Sequence, residues 1–473
     1  MPLPSSDVDI AYAPLTALSE WVRTRKVTST RLTELYLERL QRFGPKLECV
    51  ITPTPELARE QARRADAEIA KGKWRGPLHG IPWGVKDLLD TAGIRTTWGA
   101  EPFKDRVPSK DGTVVARLHE AGAVLVAKLS LGALALNDIW FGGETKNPWL
   151  LEEGSSGSSA GSAAATAAGL VGFAIGSETG GSIVSPSSRC GITGLRPTFG
   201  RVPRTGAMTL CWSLDKLGPM ARSVEDTLMV LSAISGPDGH DLGCTPSHLD
   251  FDWAEPVSKL RVGYVPAWLE KPANDFDKQS LSVDKAVVDA VRAAGMTAVP
   301  VDFPALPYFA LYAILFAEAA ASFEELTLSH KVDELKMQVF DAWPNLFRQA
   351  RFLSAVDLVQ ADRLRRQAAV AMNELLSKVD VLLVPFLRDE TLISTNCTGH
   401  PSLTFRAGFI EVDRIRSDWL PPPGQQWPKL KEKHRVPQGV TLVGRLFDEG
   451  TLVRVGMALE RTLAVAGERP PGF

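Results

Sequence analysis

The sequence predicts one large α/β domain built on a mixed central β-sheet with helices on both faces, and three observations carry that prediction. Short apolar runs of strand length recur along the chain, and helical stretches lie between them. Of 473 residues, 44% are hydrophobic and 23% charged, the balance of a folded protein with ample core material. That length suits one large domain or two ordinary ones.

Leu15, Leu18 and Val22, then Leu32, Leu35, Tyr36, Leu40 and Phe43, recur at helical spacing, and residues 55–71 are rich in Ala, Arg and Glu. Residues 1–72 therefore read as a helical flank. Apolar runs follow at 81–85, 123–127, 170–175, 260–265, 381–384 and 440–443, with helical stretches such as 113–120 and 224–233 between them. Residues 73–250 read as the catalytic core, 251–390 as a mostly helical pocket wall, and 391–473 as the part completing the sheet. Within the wall the clearest helices are 284–294 and 358–376. The most apolar stretch, 303–317, is too short to span a bilayer and contains Pro304 and Pro307, so it reads as a buried helix or pocket wall. Pro421, Pro422, Pro423, Gly424 and Pro428 mark a surface loop, and there is no internal repeat. The short link from Pro385 to Asn396 reads as leaving the neighbouring site open.

The 53 basic and 55 acidic residues leave a formal net charge of -2, without the basic stripe of a nucleic-acid binder. Cys49, Cys190, Cys211, Cys244 and Cys397 are scattered, odd in number and form no C-x-x-C pair, which predicts reduced thiols and no zinc. The first ten residues lack a basic segment followed by an apolar core. A cytoplasmic monomer or homodimer is expected, with no membrane, no nucleic acid, no cofactor and no metal.

The chemistry concentrates in two places. Gly154-Ser155-Ser156-Gly157-Ser158-Ser159-Ala160-Gly161-Ser162 precedes an Ala-rich helix, and Gly176-Ser177-Glu178-Thr179-Gly180-Gly181-Ser182 follows a strand. Without a Cβ, Gly180 and Gly181 let the backbone aim successive N–H groups at one point, a nest for an oxyanion with Ser182 at its edge. A serine hydroxyl needs a base. Upstream, Gly80-Ile81-Pro82-Trp83-Gly84-Val85-Lys86-Asp87 delivers a lysine toward the interior, where burial disfavours the ammonium and a neutral amine can accept a proton. A hydroxyl such as Ser158 both donates and accepts, so it can relay between Ser182 and Lys86.

These residues resemble the amidase signature family, whose members share a Gly/Ser-rich motif ending in Gly-Gly-Ser-Ile and an upstream Gly-Ile-Pro-x-x-x-Lys-Asp. The resemblance covers nearly the whole chain, through Thr145-Lys146-Asn147-Pro148-Trp149, Cys190-Gly191-Ile192-Thr193-Gly194-Leu195-Arg196-Pro197-Thr198 and Leu214-Asp215-Lys216-Leu217-Gly218-Pro219. It continues to Thr398-Gly399-His400-Pro401 and Leu442-Val443-Gly444-Arg445. It implies a Ser–cis-Ser–Lys triad of Ser182, Ser158 and Lys86, the cis bond following Gly157. It also implies an oxyanion hole of the N–H groups of Thr179, Gly180, Gly181 and Ser182. The implied activity is hydrolysis of an amide C–N bond through an acyl-enzyme on Ser182. Esters and carbamates pass through a similar tetrahedral oxyanion and are within reach of the same machinery. Four positions depart from the pattern: Glu178 for an aspartate, Val184 for a frequent arginine, and Ser156 and Ala160 for glycines.

Other readings compete. Gly157-Ser158-Ser159-Ala160-Gly161 also satisfies G-x-S-x-G, which would make Ser159 a nucleophile on an elbow directly after a strand; here Glu152 and Glu153 read as loop. Ser282-Val283-Asp284-Lys285 matches S-x-x-K but reads as a helix cap on a solvated face. His400 reads as structural, and Cys190 and Cys211 as small buried hydrophobes. Trp83, Trp140, Phe141 and Trp212 are candidates for an apolar substrate pocket, with core packing the plain alternative. At the level of function, the alternatives are the amidase subunit of a tRNA-dependent amidotransferase and a non-catalytic binding relative. The stretch Ala127-Lys128-Leu129-Ser130-Leu131-Gly132-Ala133-Leu134-Ala135 lacks the Glu-Phe-Ala-Met-Gly-like run associated with the former. Intact Lys86, Ser158 and Ser182 count against the latter.

Overall fold

In the computed structural model, which describes residues 2–270, 275–385 and 389–473, the predicted apolar runs become strands of one large sheet. Its strands are β1 (Val50–Pro53), β2 (Pro82–Lys86), β3 (Val124–Leu129), β4 (Phe173–Glu178), β5 (Thr193–Arg196), β6 (Lys216–Ala221), β7 (Arg261–Tyr264), β8 (Thr297–Pro300), β9 (Val381–Val384), β10 (Ser402–Arg414) and β11 (Lys429–Gly444). They pair in the order β1-β3-β2-β4-β6-β5-β10-β11-β9-β7-β8. The sheet is mixed: β3, β2 and β4 run parallel, as do β9, β7 and β8, while the remaining pairs are antiparallel. Every residue of β2, β3 and β4 is buried, as parallel strands covered on both faces must be.

The helices Asp7–Ala11 and Leu15–Arg23, then α1 (Ser29–Leu47) and α2 (Pro55–Ala70), form the N-terminal flank, with β1 between α1 and α2. Helix α3 (Ala160–Ala167) is buried along its whole length, and its small residues explain how: a Cβ on Gly161 would stand 2.5 Å from Cys49 O and Ser130 N. Next come α4 (Val184–Cys190), α5 (Tyr312–Ser322), α6 (Ala355–Lys378) and α7 (Asp389–Cys397). Although β10 and β11 come last in sequence, they lie in mid-sheet between β5 and β9, so the two halves of the chain share one sheet. Among the described residues no helix is long and apolar enough to cross a membrane.

Several boundaries differ from the sequence reading. β1, β5, β6, β8 and β10 are additional strands; β6 carries Lys216 and Pro219, which hide its apolar character. β11 begins at Lys429, not at 440, because a charged, solvent-exposed stretch still pairs with β10, Arg435 opposite Glu411 and Lys429 opposite Arg414. Glu152 and Glu153 lie in a short strand, Leu150–Gly154, paired with Lys146–Asn147 outside the main sheet. The helix read as 284–294 starts at Asp275, so Ser282 sits inside it and is no cap. β4 starts at Phe173 but runs on to Glu178, which matters for the site.

Candidate active site

The end of β2 presents Lys86 to the interior with no exposed surface. Its Nζ lies 2.8 Å from Ser158 Oγ, 2.9 Å from Ser177 Oγ, 3.0 Å from Ser159 Oγ and 3.4 Å from Ser177 O. Burial holds its pKa well below the ordinary lysine value, against the smaller opposing fields of Glu178 and Asp215. Among the described residues no carboxylate forms an ion pair with it. The neighbouring Asp87 turns elsewhere, accepting from Thr97 N at 2.7 Å and Thr97 Oγ1 at 2.6 Å.

The hydroxyls around Nζ are not equivalent. Ser159 Oγ donates to Ser177 O at 3.1 Å and accepts from Ser177 N at 3.2 Å, so its proton is already placed. A neutral amine has one lone pair, and the Ser158 hydroxyl is free to point a proton at it. Ser158 is fully buried and follows a cis peptide bond from Gly157. The loop is tied to the other motif through the main chain, since Ser159 N donates to Ser182 O at 3.2 Å. Among the described residues the half-buried Ser182 hydroxyl forms no hydrogen bond, so the contact from Ser158 to Ser182 is not closed here.

Past β4 the chain turns through Thr179, Gly180, Gly181 and Ser182, with Gly181 at φ +133, a conformation that side-chain-bearing residues rarely adopt. None of these four main-chain N–H groups is engaged among the described residues. The next two are: Glu178 Oε2 accepts from Ile183 N at 2.7 Å and Val184 N at 2.9 Å. Glu178 thus holds the start of α4 and leaves four donors free. Its other oxygen meets Arg196 Nη1 at 2.7 Å and Asn396 Nδ2 at 3.0 Å; against burial, which raises the carboxyl pKa, the Arg196 charge and the Val184 N–H bond keep it low. Arg196 therefore supplies a buried cation near the loop, where Val184 offers none. Thr179 Oγ1 donates to Asp215 Oδ1 at 2.6 Å, and Asp215 also accepts from Leu210 N and Cys211 N.

The walls come from distant segments. A Cβ on Gly180 would stand 3.2 Å from Leu315 on α5, and one on Gly181 would stand 2.9 Å from Leu392 on α7. A cavity of about 270 Å³ opens beside Ser177, Thr179 and Asp215, lined further by Leu88, Met208 and Trp212. Of the four aromatic candidates, Trp212 lines this cavity and is 51% exposed. Trp83 does not reach it. Strand alternation puts residue 83 on the opposite face of β2 from Lys86, and its buried ring stacks on Phe173 at 5.8 Å. Trp140 donates to Glu48 O at 3.1 Å on the α1 side of the protein, with Phe141 packed on its ring, both held there by a short hairpin.

Among the competing readings, Ser159 is buried beside Lys86 instead of standing exposed on an elbow. His400 Nδ1 pairs with Thr398 Oγ1 at 2.7 Å, and burial lowers its pKa to about 4. The five cysteines are buried and unbridged. Among the described residues no group of three His, Cys, Asp or Glu side chains is arranged to hold a metal. The link from Pro385 to Asn396 lies partly outside the described residues, at 386–388. Sequence reasoning missed Ser177, Asp215, Leu315 and Leu392. Only Ser177 carried a usable signal: with β4 extended past Ile175, its parallel pairing of Val85 with Ile175 brings Ser177 toward Lys86.

Comparison with known proteins follows the same lines. The family model described as Amidase matches residues 31–453. A Mycobacterium tuberculosis protein named amidase AmiD is 35% identical over 477 residues, covering 99% of this chain and 98% of its own. A glutamyl-tRNA(Gln) amidotransferase chain from Roseiflexus is 33% identical, covering 92% of this chain and 93% of its own. The crystal structure of native peptide amidase from Stenotrophomonas maltophilia superposes with a TM-score of 0.80 at 28% identity, covering 98% of this chain and 99% of that one.

Proposed function

This chain belongs to the amidase signature family and is an amide-hydrolysing enzyme, and from that premise we propose that it works through an acyl-enzyme on Ser182 with Ser158 as relay and Lys86 as base. The observation that carries the assignment is the setting of Lys86: a buried amine, with no carboxylate partner among the described residues, 2.8 Å from the hydroxyl of a loop whose next N–H grips the Ser182 carbonyl.

In this reading neutral Lys86 takes the Ser158 proton while Ser158 takes that of Ser182. Ser182 Oγ attacks the substrate carbonyl carbon, and the free N–H groups from Thr179 to Ser182 receive the oxyanion. Collapse of the tetrahedral species breaks the C–N bond, and the proton returns from Lys86 through Ser158 to the leaving amine. Water then attacks the acyl-enzyme by the same relay, releasing the acid and restoring Ser182. Esters and carbamates fit the same sequence of steps. The buried thiols support a reducing, cytoplasmic setting.

The test is a panel of aliphatic, aryl, peptide and carbamate substrates, peptide amides being included because of the Stenotrophomonas enzyme. Wild type is expected to hydrolyse at least one class, Ser182→Ala none, and a sulfonyl fluoride is expected to modify Ser182. Full turnover by Ser182→Ala would remove the assignment. The relatives named for glutamyl-tRNA(Gln) amidotransferase favour a second reading, a chain that works within a complex. Turnover of simple anilides by the purified chain alone excludes a strict need for partners; silence alone with rescue by partner chains selects it.

A further inference from the structure

We propose that Asp418, in the connection between β10 and β11, is a positioning residue for the bridging serine, acting on Ser158 through Ser156 and Gly157. The inference rests on the proposed role of Ser158 and adds to it the element that places it.

Ser156 stands where the family pattern has a glycine, and its φ is +64. A residue with a Cβ is disfavoured in that left-handed region, so something must hold it there. Asp418 Oδ2 accepts from Ser156 Oγ at 2.5 Å and from Gly157 N at 3.1 Å. One carboxylate oxygen therefore grips both residues that lead into Ser158. On its far side the carboxylate is fixed in turn, with Arg189 Nη2 donating to Oδ1 at 3.1 Å and Arg189 Nη1 donating to Arg416 O at 3.0 Å. Arg416 is itself paired with Glu153, just upstream of the serine loop, and its N–H donates to Glu153 Oε2 at 3.0 Å. From the other side Ser156 N donates to Asp138 Oδ2 at 3.0 Å.

The loop packs closely against its neighbour, since a Cβ on Gly157 would stand 1.6 Å from Asn137 O. The Ser158 hydroxyl has Lys86 as its partner within the protein, so its position along the relay follows from the main chain that Asp418 holds. The serine at 156 and the aspartate at 418 form a matched pair: the residue that creates the backbone problem also supplies the hydroxyl contact that resolves it. A glycine at 156 adopts the same φ unaided.

The experiment compares kcat and KM for Asp418→Ala, Asp418→Asn and the double variant Asp418→Ala/Ser156→Gly on the amide that wild type hydrolyses best. Misplacing a reacting group by an ångström costs on the order of 10²-fold, so Asp418→Ala is expected to lose about that factor in kcat with KM little changed. The double variant is expected to regain about tenfold, since glycine needs no anchor at φ +64. A purely structural role would lower the melting temperature, which glycine also restores, but would leave kcat per folded enzyme unchanged. The proposal is overturned if Asp418→Ala keeps kcat within about twofold of wild type, or if the double variant is no faster than the single. Should Asp418→Ala not fold, Asp418→Asn decides, and a wild-type kcat in it overturns the proposal. Wild type that neither hydrolyses an amide nor reacts with a sulfonyl fluoride at Ser182 overturns the proposed function as well; an active wild type with indifferent Asp418 variants overturns this inference alone.

Discussion

Two buried lysines on neighbouring parallel strands, Lys86 on β2 and Lys128 on β3, have no exposed surface, yet their surroundings make them different chemical groups. Lys128 stands 3.5 Å from Asp87 and also donates to Leu89 O, Thr91 Oγ1 and Thr96 Oγ1. Burial lowers its pKa only to about 8, because Asp87 favours the ammonium. Lys86 faces three serine hydroxyls and a carbonyl, and its pKa is pushed well below the ordinary value by burial. Burial alone therefore does not make a base. What distinguishes Lys86 is that among the described residues no carboxylate pairs with it, because Asp87, next in sequence, pairs with Lys128 instead.

The largest effect expected from breaking this contrast is on turnover. Lys86→Met removes the base, and triad members in serine hydrolases contribute about 10⁴-fold or more to kcat. Initial rates on the best substrate check this, with a melting temperature no lower than wild type, since methionine fills the space without a buried amine. A Lys86→Met protein retaining a tenth of the activity would overturn the role of base.

Lys128→Met should do the opposite. It leaves Asp87 charged and unpaired inside the protein, a loss of about 3–5 kcal/mol in typical buried pairs. Urea unfolding measures it, and the double variant Lys128→Met/Asp87→Asn should recover a large part. Equal stability of the single and double variants would mean that the two side chains are not coupled.

A pH series sharpens the comparison. A lysine unfolded in water titrates near ~10.4, and the folded value of Lys86 lies below that. Between the two values the unfolded chain binds the extra proton, so stability rises with pH across that window. Lys86→Met removes that group and should flatten the rise. For catalysis the sign is the same: kcat/KM falls as pH drops through the folded pKa of Lys86. Unchanged urea midpoints against pH in Lys86→Met would contradict its neutral state.

The smallest effect is expected at Ser177. Ser177→Ala removes the hydroxyl 2.9 Å from Lys86 Nζ but leaves Ser158 and the Ser177 carbonyl in place. A loss of about 1 kcal/mol, the worth of one ordinary hydrogen bond, corresponds to roughly a fivefold drop in kcat/KM. A loss as large as that of Lys86→Met would place Ser177, not Ser158, next to the lone pair.

Much of the site is legible in the sequence because its chemistry lies in two short runs. A lysine closing an apolar strand, and paired glycines before a serine, announce a buried amine and an N–H nest through local properties alone. The strand at 381–384 is legible to the residue for a similar reason, being apolar throughout and bounded on both sides. Strand β6 is not, because Lys216 and Pro219 look like loop residues until β4 and β5 pair on either side of them. Trp83 and Trp212 look alike in sequence, yet one stacks in the core and the other lines the cavity.

What the sequence determined by itself is therefore the local grammar: where an apolar strand ends in a lysine, where serines cluster, and where backbone without side chains must turn. The tertiary structure alone decided which of two buried lysines keeps a counter-ion, that the Ser159 hydroxyl proton is already placed on Ser177 O, and that Asp418 holds Ser156. The physical reason is range. Propensity and patterning act over a few residues, whereas the pKa of a buried group and the position of a loop depend on partners brought in from as far as 262 residues away.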